Sequence, residues 1–131
     1  MNRRRVVVTG LGTVNPLGLS VREYWHALLA GKSGIAPITL LDPGPFKTRF
    51  AGEVKNFKPE PVLDVRSARR LDRFAQFAVV ASDEALRDSG LDLSKIDPFR
   101  AGCILGSGIG GLAEFEDGHE TYRTKGPSRL S

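Results

Sequence analysis

One long segment of helical periodicity, residues 65–89, constrains the fold of this chain more than any other feature of its sequence. Apolar and small side chains recur along the segment at the spacing of one helix face. Gly90 follows it, and glycine readily adopts the left-handed conformation that ends a helix. Because several of the recurring residues are small, such as Ala78, Ser82 and Ala85, we predict one continuous helix that a neighbouring segment can approach closely.

Two short apolar runs, one on each side of this helix, predict buried strands. Residues 4–9 are rich in valine and lead into glycines, and residues 101–105 precede a second glycine cluster. The order strand, helix, loop, helix, strand, helix favours an α/β layered fold with both sheet faces covered. The chain supplies few strands and none after its last helix, so we expect it to be part of a larger domain.

Helix signals also mark the segment that follows the first predicted strand. Ser20 and Glu23 have the spacing of a capping box, and Gly31 stands where this helix would end. Residues 34–62 are rich in proline and glycine, which predicts a long surface excursion with a short strand at residues 49–54. The side chains expected on the core face of the helix are Tyr24, Trp25, Leu28 and Leu29.

Composition argues against several functional classes. With 131 residues, of which 40% are hydrophobic and 26% charged, the chain has the composition of an ordinary globular domain. The net charge of +4 is too small by itself to indicate a nucleic-acid partner. No apolar stretch is long enough to span a bilayer, and the single cysteine, Cys103, permits no internal disulfide, which fits a cytoplasmic protein.

The glycine cluster at residues 106–111 matches the pattern G-x-G-x-x-G, after a predicted strand and before a predicted helix at residues 112–123. Such a loop lets backbone amides approach a pyrophosphate at a helix N-terminus. The acidic residue that would bind the ribose should follow about twenty residues later, and no acidic residue lies there. A tight turn packed on other backbone is therefore favoured, and a dinucleotide-binding (NAD) oxidoreductase fragment remains the alternative.

No complete catalytic set can be assembled from the nucleophiles and bases of the chain. Cys103 lies in the middle of a predicted apolar strand, where cysteines are usually inert core residues. His26 and His119 are both predicted on helices, without a cysteine or a second histidine at ligand spacing. We therefore expect no catalytic residue, no metal site and no cofactor within this sequence.

Four arginines on the long predicted helix form its most unusual charge pattern. They fall within one stripe of about 100° at 3.6 residues per turn, and like charges at this spacing repel one another. The stripe is either a solvated basic face or a docking surface for an acidic partner, and a non-catalytic basic binding module remains open. Nucleic acid is disfavoured because few aromatic residues flank the stripe. The four residues are Arg66, Arg69, Arg70 and Arg73.

Four sequence blocks lie in register along the chain, at residues 3–18, 28–35, 69–74 and 106–111. In this order they resemble the bacterial β-ketoacyl-acyl carrier protein synthases, most closely the type II elongation condensing enzymes. The resemblance implies a partial thiolase-like fold, the N-terminal portion of a layered α-β-α-β-α architecture, with residues 1–131 an incomplete N-terminal part of the synthase domain. It also implies a homodimer in the cytoplasm, with no nucleic-acid or membrane partner.

The chemistry implied by this resemblance is a decarboxylating condensation in fatty acid biosynthesis. An acyl chain passes from acyl carrier protein to an active-site cysteine. Malonyl-acyl carrier protein then loses carbon dioxide, and the resulting carbanion attacks the thioester. The family uses a cysteine and two histidines for these steps, and none of the three matches a position of this sequence. We therefore expect the chain alone to lack condensing activity.

Two sets of residues carry over from the family to this chain. Basic residues of the long helix match the positions that dock acyl carrier protein, which is an acidic helical protein. A loop isoleucine matches the side chain that lines the acyl pocket and helps to set chain length, and its flanking glycines let the loop bend beside that pocket. The residues so assigned are Arg66, Arg69 and Arg70 for docking, and Gly108, Ile109 and Gly110 for the acyl pocket.

Overall fold

The computed structural model describes residues 4–60 and 62–130, and helices account for most of its regular structure. Its longest helix, α3 (Arg73–Ser89), has 17 residues. Within the described ranges the other elements, in chain order, are α1 (Val21–Leu29), β1 (Ile35–Pro37), β2 (Phe50–Gly52), α2 (Val65–Ala68) and α4 (Leu112–Lys125), with short 3₁₀ turns at Leu93–Lys95, Pro98–Arg100 and Pro127–Arg129.

The long helix predicted over residues 65–89 is divided into two helices, so the prediction of one continuous helix is wrong. Asp72 has an extended backbone, with φ −61° and ψ 156°, and this conformation separates α2 from α3. The Gln76 side chain donates hydrogen bonds of 2.9 Å to the carbonyl oxygens of Ala68 and Leu71. The break is therefore stabilised by a side chain that donates to carbonyl groups which lose their i+4 amide partners there. The predicted end of the helix is confirmed, since Gly90 has φ +62°.

The N-terminal segment, residues 10–21, packs directly on the backbone of α3. Gly10 contacts the carbonyl oxygen of Ala85, and Gly12 contacts that of Ala81. A methyl group at position 12 would also lie 2.8 Å from the Ala85 amide nitrogen, which is closer than real side chains approach. The close approach predicted from the small residues of the long helix is therefore confirmed, and glycine is required on the opposing segment as well.

Two carboxylates on α3 bind the amides of this N-terminal segment. Glu84 accepts hydrogen bonds from the backbone amides of Thr13 at 2.9 Å and Val21 at 2.8 Å, one on each carboxylate oxygen. Asp88 accepts a hydrogen bond from the Leu11 amide at 2.9 Å. Hydrogen bonds to charged acceptors are stronger than neutral ones, so these contacts link the first loop and the start of α1 to α3.

The two buried strands predicted at residues 4–9 and 101–105 are absent, and both segments are exposed. Val6 and Ile104 are more than nine-tenths exposed, at 93% and 98%. A strand requires a neighbour that pairs with its backbone, and no other described segment pairs with either run. Both apolar runs are therefore irregular and exposed to solvent in this structure.

The sheet in the described ranges is a two-stranded antiparallel pair, in which Ile35 lies opposite Gly52. The strand predicted at residues 49–54 is thus confirmed over β2, whereas its partner β1 was not predicted. Beyond β2, the Glu53 carboxylate accepts a hydrogen bond of 2.6 Å from the Thr39 hydroxyl and one of 2.9 Å from the Thr39 amide. These hydrogen bonds hold the pKa of Glu53 below its usual range.

Helix α1 begins and ends as predicted, but its buried side differs from the prediction. The Glu23 amide donates to Ser20 Oγ at 3.3 Å, while the Glu23 carboxylate accepts from the Leu19 amide at 2.7 Å rather than from Ser20. Gly31 follows with φ +63°. Ala27 is the buried residue of α1, and Trp25 is exposed. The four large side chains expected in a core do not form one here.

The described residues leave far more surface open than a self-contained domain would. Their buried hydrophobic core consists of Ala27 and Ala68. The accessible surface is 11265 Å², whereas a compact monomer of this mass exposes about 6,800 Å². The predicted partial α/β architecture is therefore what the structure shows. No helix in the described ranges is both long and apolar enough to cross a membrane.

Replacing Glu84 by alanine tests the attachment of the N-terminal segment to α3. We expect the Thr13 and Val21 amides to exchange with solvent about tenfold faster or more, because each loses a charged acceptor. Hydrogen exchange followed by NMR would measure this directly. The matched control is Asp83→Ala, since among the described residues Asp83 pairs with Arg87 on the same helix, at 2.9 Å, and with no amide of the N-terminal segment. Equal exchange in the two variants would contradict the attachment.

Candidate functional site

The first candidate site begins at α2, whose N-terminus is capped by Asp64. One oxygen of the Asp64 carboxylate accepts hydrogen bonds from the amides of Arg66 at 2.8 Å and Ser67 at 2.9 Å. The other oxygen accepts a hydrogen bond of 2.6 Å from the Ser67 hydroxyl. The Ser67 hydroxyl, followed by its amide, holds the pKa of Asp64 below the usual range. This cap fixes the short helix from which Arg66 projects.

Arg66, Arg69 and Arg70, which we call the arginine patch, lie on α2 and in the turn that follows it. All three are exposed. Among the described residues, no ion pair or side-chain hydrogen bond involves any of their guanidinium groups. The predicted stripe of four arginines on one helix is wrong because the chain leaves the helix before Asp72. The patch is instead a compact group of three charges available to a partner.

Arg73, the fourth arginine of the predicted stripe, has a different environment. Its guanidinium donates a hydrogen bond of 2.6 Å to the carbonyl oxygen of Val54. It also lies over the rings of Phe57 and Phe77, 5.9 and 5.2 Å from their centroids. These two rings contact each other edge to face with centroids 4.7 Å apart. Arg73 therefore attaches the segment after β2 to α3, and it is not free for docking.

The second candidate site is the glycine loop, residues 106–111, which leads into α4. Ser107 Oγ accepts a hydrogen bond of 2.9 Å from the Gly110 amide. Gly110 has φ +86°, a backbone conformation that favours glycine. The turn presents Ile109 outward, with 79% of the residue exposed, and Gly108 has open space around it. The loop is thus a tight turn that displays one large apolar side chain.

Asp72 brings the two candidate sites together. It follows the arginine patch directly in the chain, and its carboxylate contacts Gly111 at the end of the glycine loop. Asp72 was not among the site residues predicted from the sequence. Its signal was an aspartate at the start of an apolar helical repeat, which is typical of a helix N-cap, but that signal does not predict a contact with a distant loop.

The other predicted residues do not assemble into a reactive site. Cys103 is exposed, so the expectation of a buried core cysteine is wrong, because no described strand pairs with residues 101–105. His26 lies on α1 and His119 on α4, as predicted. In the described ranges, no group of three or more histidine, cysteine, aspartate or glutamate residues is placed to hold a metal ion. Residues 101–105 also lack the strand that a dinucleotide-binding loop requires.

Residues 3–130 match the family model described as the β-ketoacyl synthase N-terminal domain. The chain belongs to this family. The sequence resemblance is thereby confirmed over almost the whole of this synthase chain, including the arginine patch and the glycine loop.

Curated relatives of this synthase chain carry the name 3-oxoacyl-[acyl-carrier-protein] synthase 2. Those from Coxiella burnetii and Vibrio cholerae are each 47% identical over all 131 residues, and the one from Synechocystis sp. is 44% identical over the same length. In each case the match covers 32% of the relative. The chain therefore spans about a third of the length of the curated relatives it matches.

Solved ketosynthases share the fold of this chain. The ishigamide ketosynthase/chain length factor superposes with a TM-score of 0.83 and 32% identity, over 98% of this chain and 32% of its own. The AntDE:AntF complex, a type II PKS acyl-carrier protein with its ketosynthase, gives a TM-score of 0.77 and 27% identity, over 98% and 33%. The predicted partial thiolase-like fold is confirmed by these neighbours.

The Ser67 hydroxyl provides a test of the cap beneath the arginine patch. We expect Ser67→Ala to raise the pKa of Asp64 towards its usual range, because the largest cause of the lowered value is removed. A lowered carboxyl pKa stabilises the fold above the unfolded-state value of about 3.9, and this contribution is lost as pH falls through the folded value. In the variant this contribution is smaller, and its loss is complete at a higher pH.

Carboxyl-detected NMR titration would measure the pKa of Asp64. Ser94→Ala is the matched control, because the Ser94 hydroxyl donates to Asp92 at 2.6 Å and lowers the pKa of that residue instead. The assignment is wrong if both variants leave Asp64 titrating as in the parent chain.

Proposed function

We propose that this chain supplies the carrier-protein docking surface and one wall of the acyl pocket of a 3-oxoacyl-acyl carrier protein synthase. The whole enzyme would catalyse the decarboxylating condensation of an acyl thioester with malonyl-acyl carrier protein. The observation that carries the proposal is the family match over residues 3–130 together with relatives of this name at 44–47% identity. The solved neighbour whose title names a type II PKS is 27% identical, so fatty acid rather than polyketide synthesis is favoured.

In this condensation we assign residues 1–131 to binding of the carrier protein and the acyl chain, and not to bond formation. Transfer of the acyl group to a cysteine breaks the carrier-protein thioester and forms a new one. Loss of carbon dioxide from the malonyl group leaves a carbanion, whose attack on that new thioester forms the carbon–carbon bond and releases the cysteine thiolate. None of the family's cysteine and histidine positions falls in this sequence, so the roles left to its residues are docking and shaping of the acyl site.

The arginine patch supports docking of an acidic partner. Its three guanidinium groups are exposed and form no ion pair with a described residue. Complementary charge steers a partner to such a surface and fixes its orientation. A solved neighbour of this chain contains an acyl-carrier protein in complex with its ketosynthase. The role of the patch here is our proposal, as are the homodimer and the domain of which residues 1–131 would form the N-terminal part.

The exposure of Ile109 supports the proposal that it lines an acyl pocket. It is a large apolar side chain on a constrained turn, and most of its surface is exposed in this chain. Burial of that surface against an acyl chain and the rest of the enzyme would be favourable, at about 25 cal/mol per Å². Gly108 and Gly110 leave space on both sides of Ile109, so an acyl chain can approach the turn closely.

Charge reversal of the arginine patch tests the docking proposal. The protein to use is a full-length chimaera in which residues 1–131 replace the matching third of the Coxiella burnetii relative. We expect Arg69→Glu with Arg70→Glu to weaken carrier-protein binding about tenfold or more at low salt, and less at high salt because ions screen the charges. Surface plasmon resonance would measure the affinity.

The matched control for this test is Arg123→Glu with Lys125→Glu, which changes the net charge equally on α4. Arg123 pairs with Glu120 at 3.1 Å and belongs to neither candidate site. If both pairs of substitutions weaken binding equally, the effect is one of net charge, and the arginine patch is not the docking surface.

Substitutions at Ile109 test the pocket proposal in the same chimaera. We expect Ile109→Phe to lower kcat/KM for long acyl chains about tenfold or more relative to short ones, because the larger ring occupies space that the acyl chain needs. Ile109→Ala should shift the preference towards longer chains. Competition between acyl carrier proteins of different acyl length measures both ratios, and an equal loss for every length would contradict the proposal.

A further inference from the structure

Asp72 occupies a helix N-cap without acting as one. It stands directly before α3 in the extended conformation of a cap residue, yet its side chain makes no capping hydrogen bond. Asp64, eight positions earlier, shows what an aspartate usually does at this place, since it accepts from two amides of α2. The Asp72 carboxylate therefore has a different contact from the one its position predicts.

That contact is with the end of the glycine loop. Oδ2 of Asp72 is buried and accepts no hydrogen bond from any described residue. A methyl group added to Gly111 would lie 2.8 Å from the carboxyl carbon of Asp72, and Oδ2 would be closer still. Residue 111 has ordinary negative φ, −91°, so the constraint on its identity is the carboxylate rather than the backbone conformation.

The place where this carboxylate lies is the start of α4. Gly111 is the N-cap of that 14-residue helix and has no side chain with which to cap it. The first amides of a helix lack intrahelical acceptors, and the helix dipole favours an anion beside them. The first amides of α4 thus lack a side-chain acceptor, and Oδ2 of Asp72, which lies beside them, lacks a donor.

We propose that Asp72 is a positioning residue whose carboxylate packs against Gly111, favours the start of α4 through the helix dipole and holds the glycine loop against the turn of the arginine patch. Arg70 lies two residues before Asp72, and Ile109 lies two residues before Gly111. The Asp72–Gly111 contact therefore joins two chain segments, one next to the arginine patch and the other next to Ile109. This role rests on the proposed function, because both of the sites that it connects are assigned there.

Hydrogen exchange on the full-length chimaera tests the contact without requiring activity. We expect Asp72→Ala to accelerate exchange of the Leu112 and Ala113 amides about threefold, because the start of α4 loses the anion beside its dipole. Asp72→Asn keeps the shape of the side chain but not its charge, and should restore only part of the protection. Asp83→Ala is the control. Unchanged exchange at α4, or acceleration confined to the first turn of α3, would overturn the proposal.

A glycine substitution provides a second variant in which Asp72 is retained. We expect Gly111→Ala to displace the carboxylate and accelerate exchange at the start of α4, as Asp72→Ala does. In the double variant the two effects should not add, because both remove one contact. Gly108→Ala is the control, since nothing lies near the position of its added methyl group. Fully additive effects of the two substitutions would overturn the proposal.

The full-length chimaera distinguishes positioning from a general structural role. We expect Asp72→Ala to change the ratio of kcat/KM between long and short acyl chains while carrier-protein affinity stays unchanged, with Asp72→Asn intermediate. An equal loss for all chain lengths would overturn the positioning role. Failure of the docking proposal would appear separately. The Arg69→Glu, Arg70→Glu variant would then keep its carrier-protein affinity, while the exchange results for Asp72 would be as expected.

Discussion

The structure depends on the close approach of the N-terminal segment to the backbone of α3. Gly10 and Gly12 lie against carbonyl groups of that helix, at distances that no side chain would permit. The approach places the Thr13 and Val21 amides within reach of the Glu84 carboxylate. In a chain with so little buried apolar surface, backbone packing and charged hydrogen bonds provide much of the attachment between elements.

The break between α2 and α3 determines what the arginines can do. In an uninterrupted helix all four would share one face. The extended residue Asp72 instead leaves Arg66, Arg69 and Arg70 exposed around a short helix and a turn, while Arg73 binds the Val54 carbonyl and two aromatic rings. One set of basic residues is thus divided into a group available to a partner and a residue that serves the fold.

The exposed apolar segments fit the proposed place of this chain in a larger enzyme. The 101–105 segment and Ile109 are both open to solvent, and the chain spans about a third of its curated relatives. Apolar surface of this extent is usually covered by another part of a protein or by a ligand. We interpret the 101–105 segment as surface that another part of the enzyme would cover, and Ile109 as surface that an acyl chain would cover.

The sequence by itself determined the features that depend on neighbouring residues. Gly31 and Gly90 end helices because their left-handed backbone is local, Ser20 begins α1, and the ordered blocks identify the family. The sequence did not determine the contact of the Asp72 carboxylate, the partners of Arg73 or the exposure of Cys103. Each of these depends on residues distant in the chain, namely Gly111, Val54 and the strands that would pair with residues 101–105, so only tertiary packing decides them.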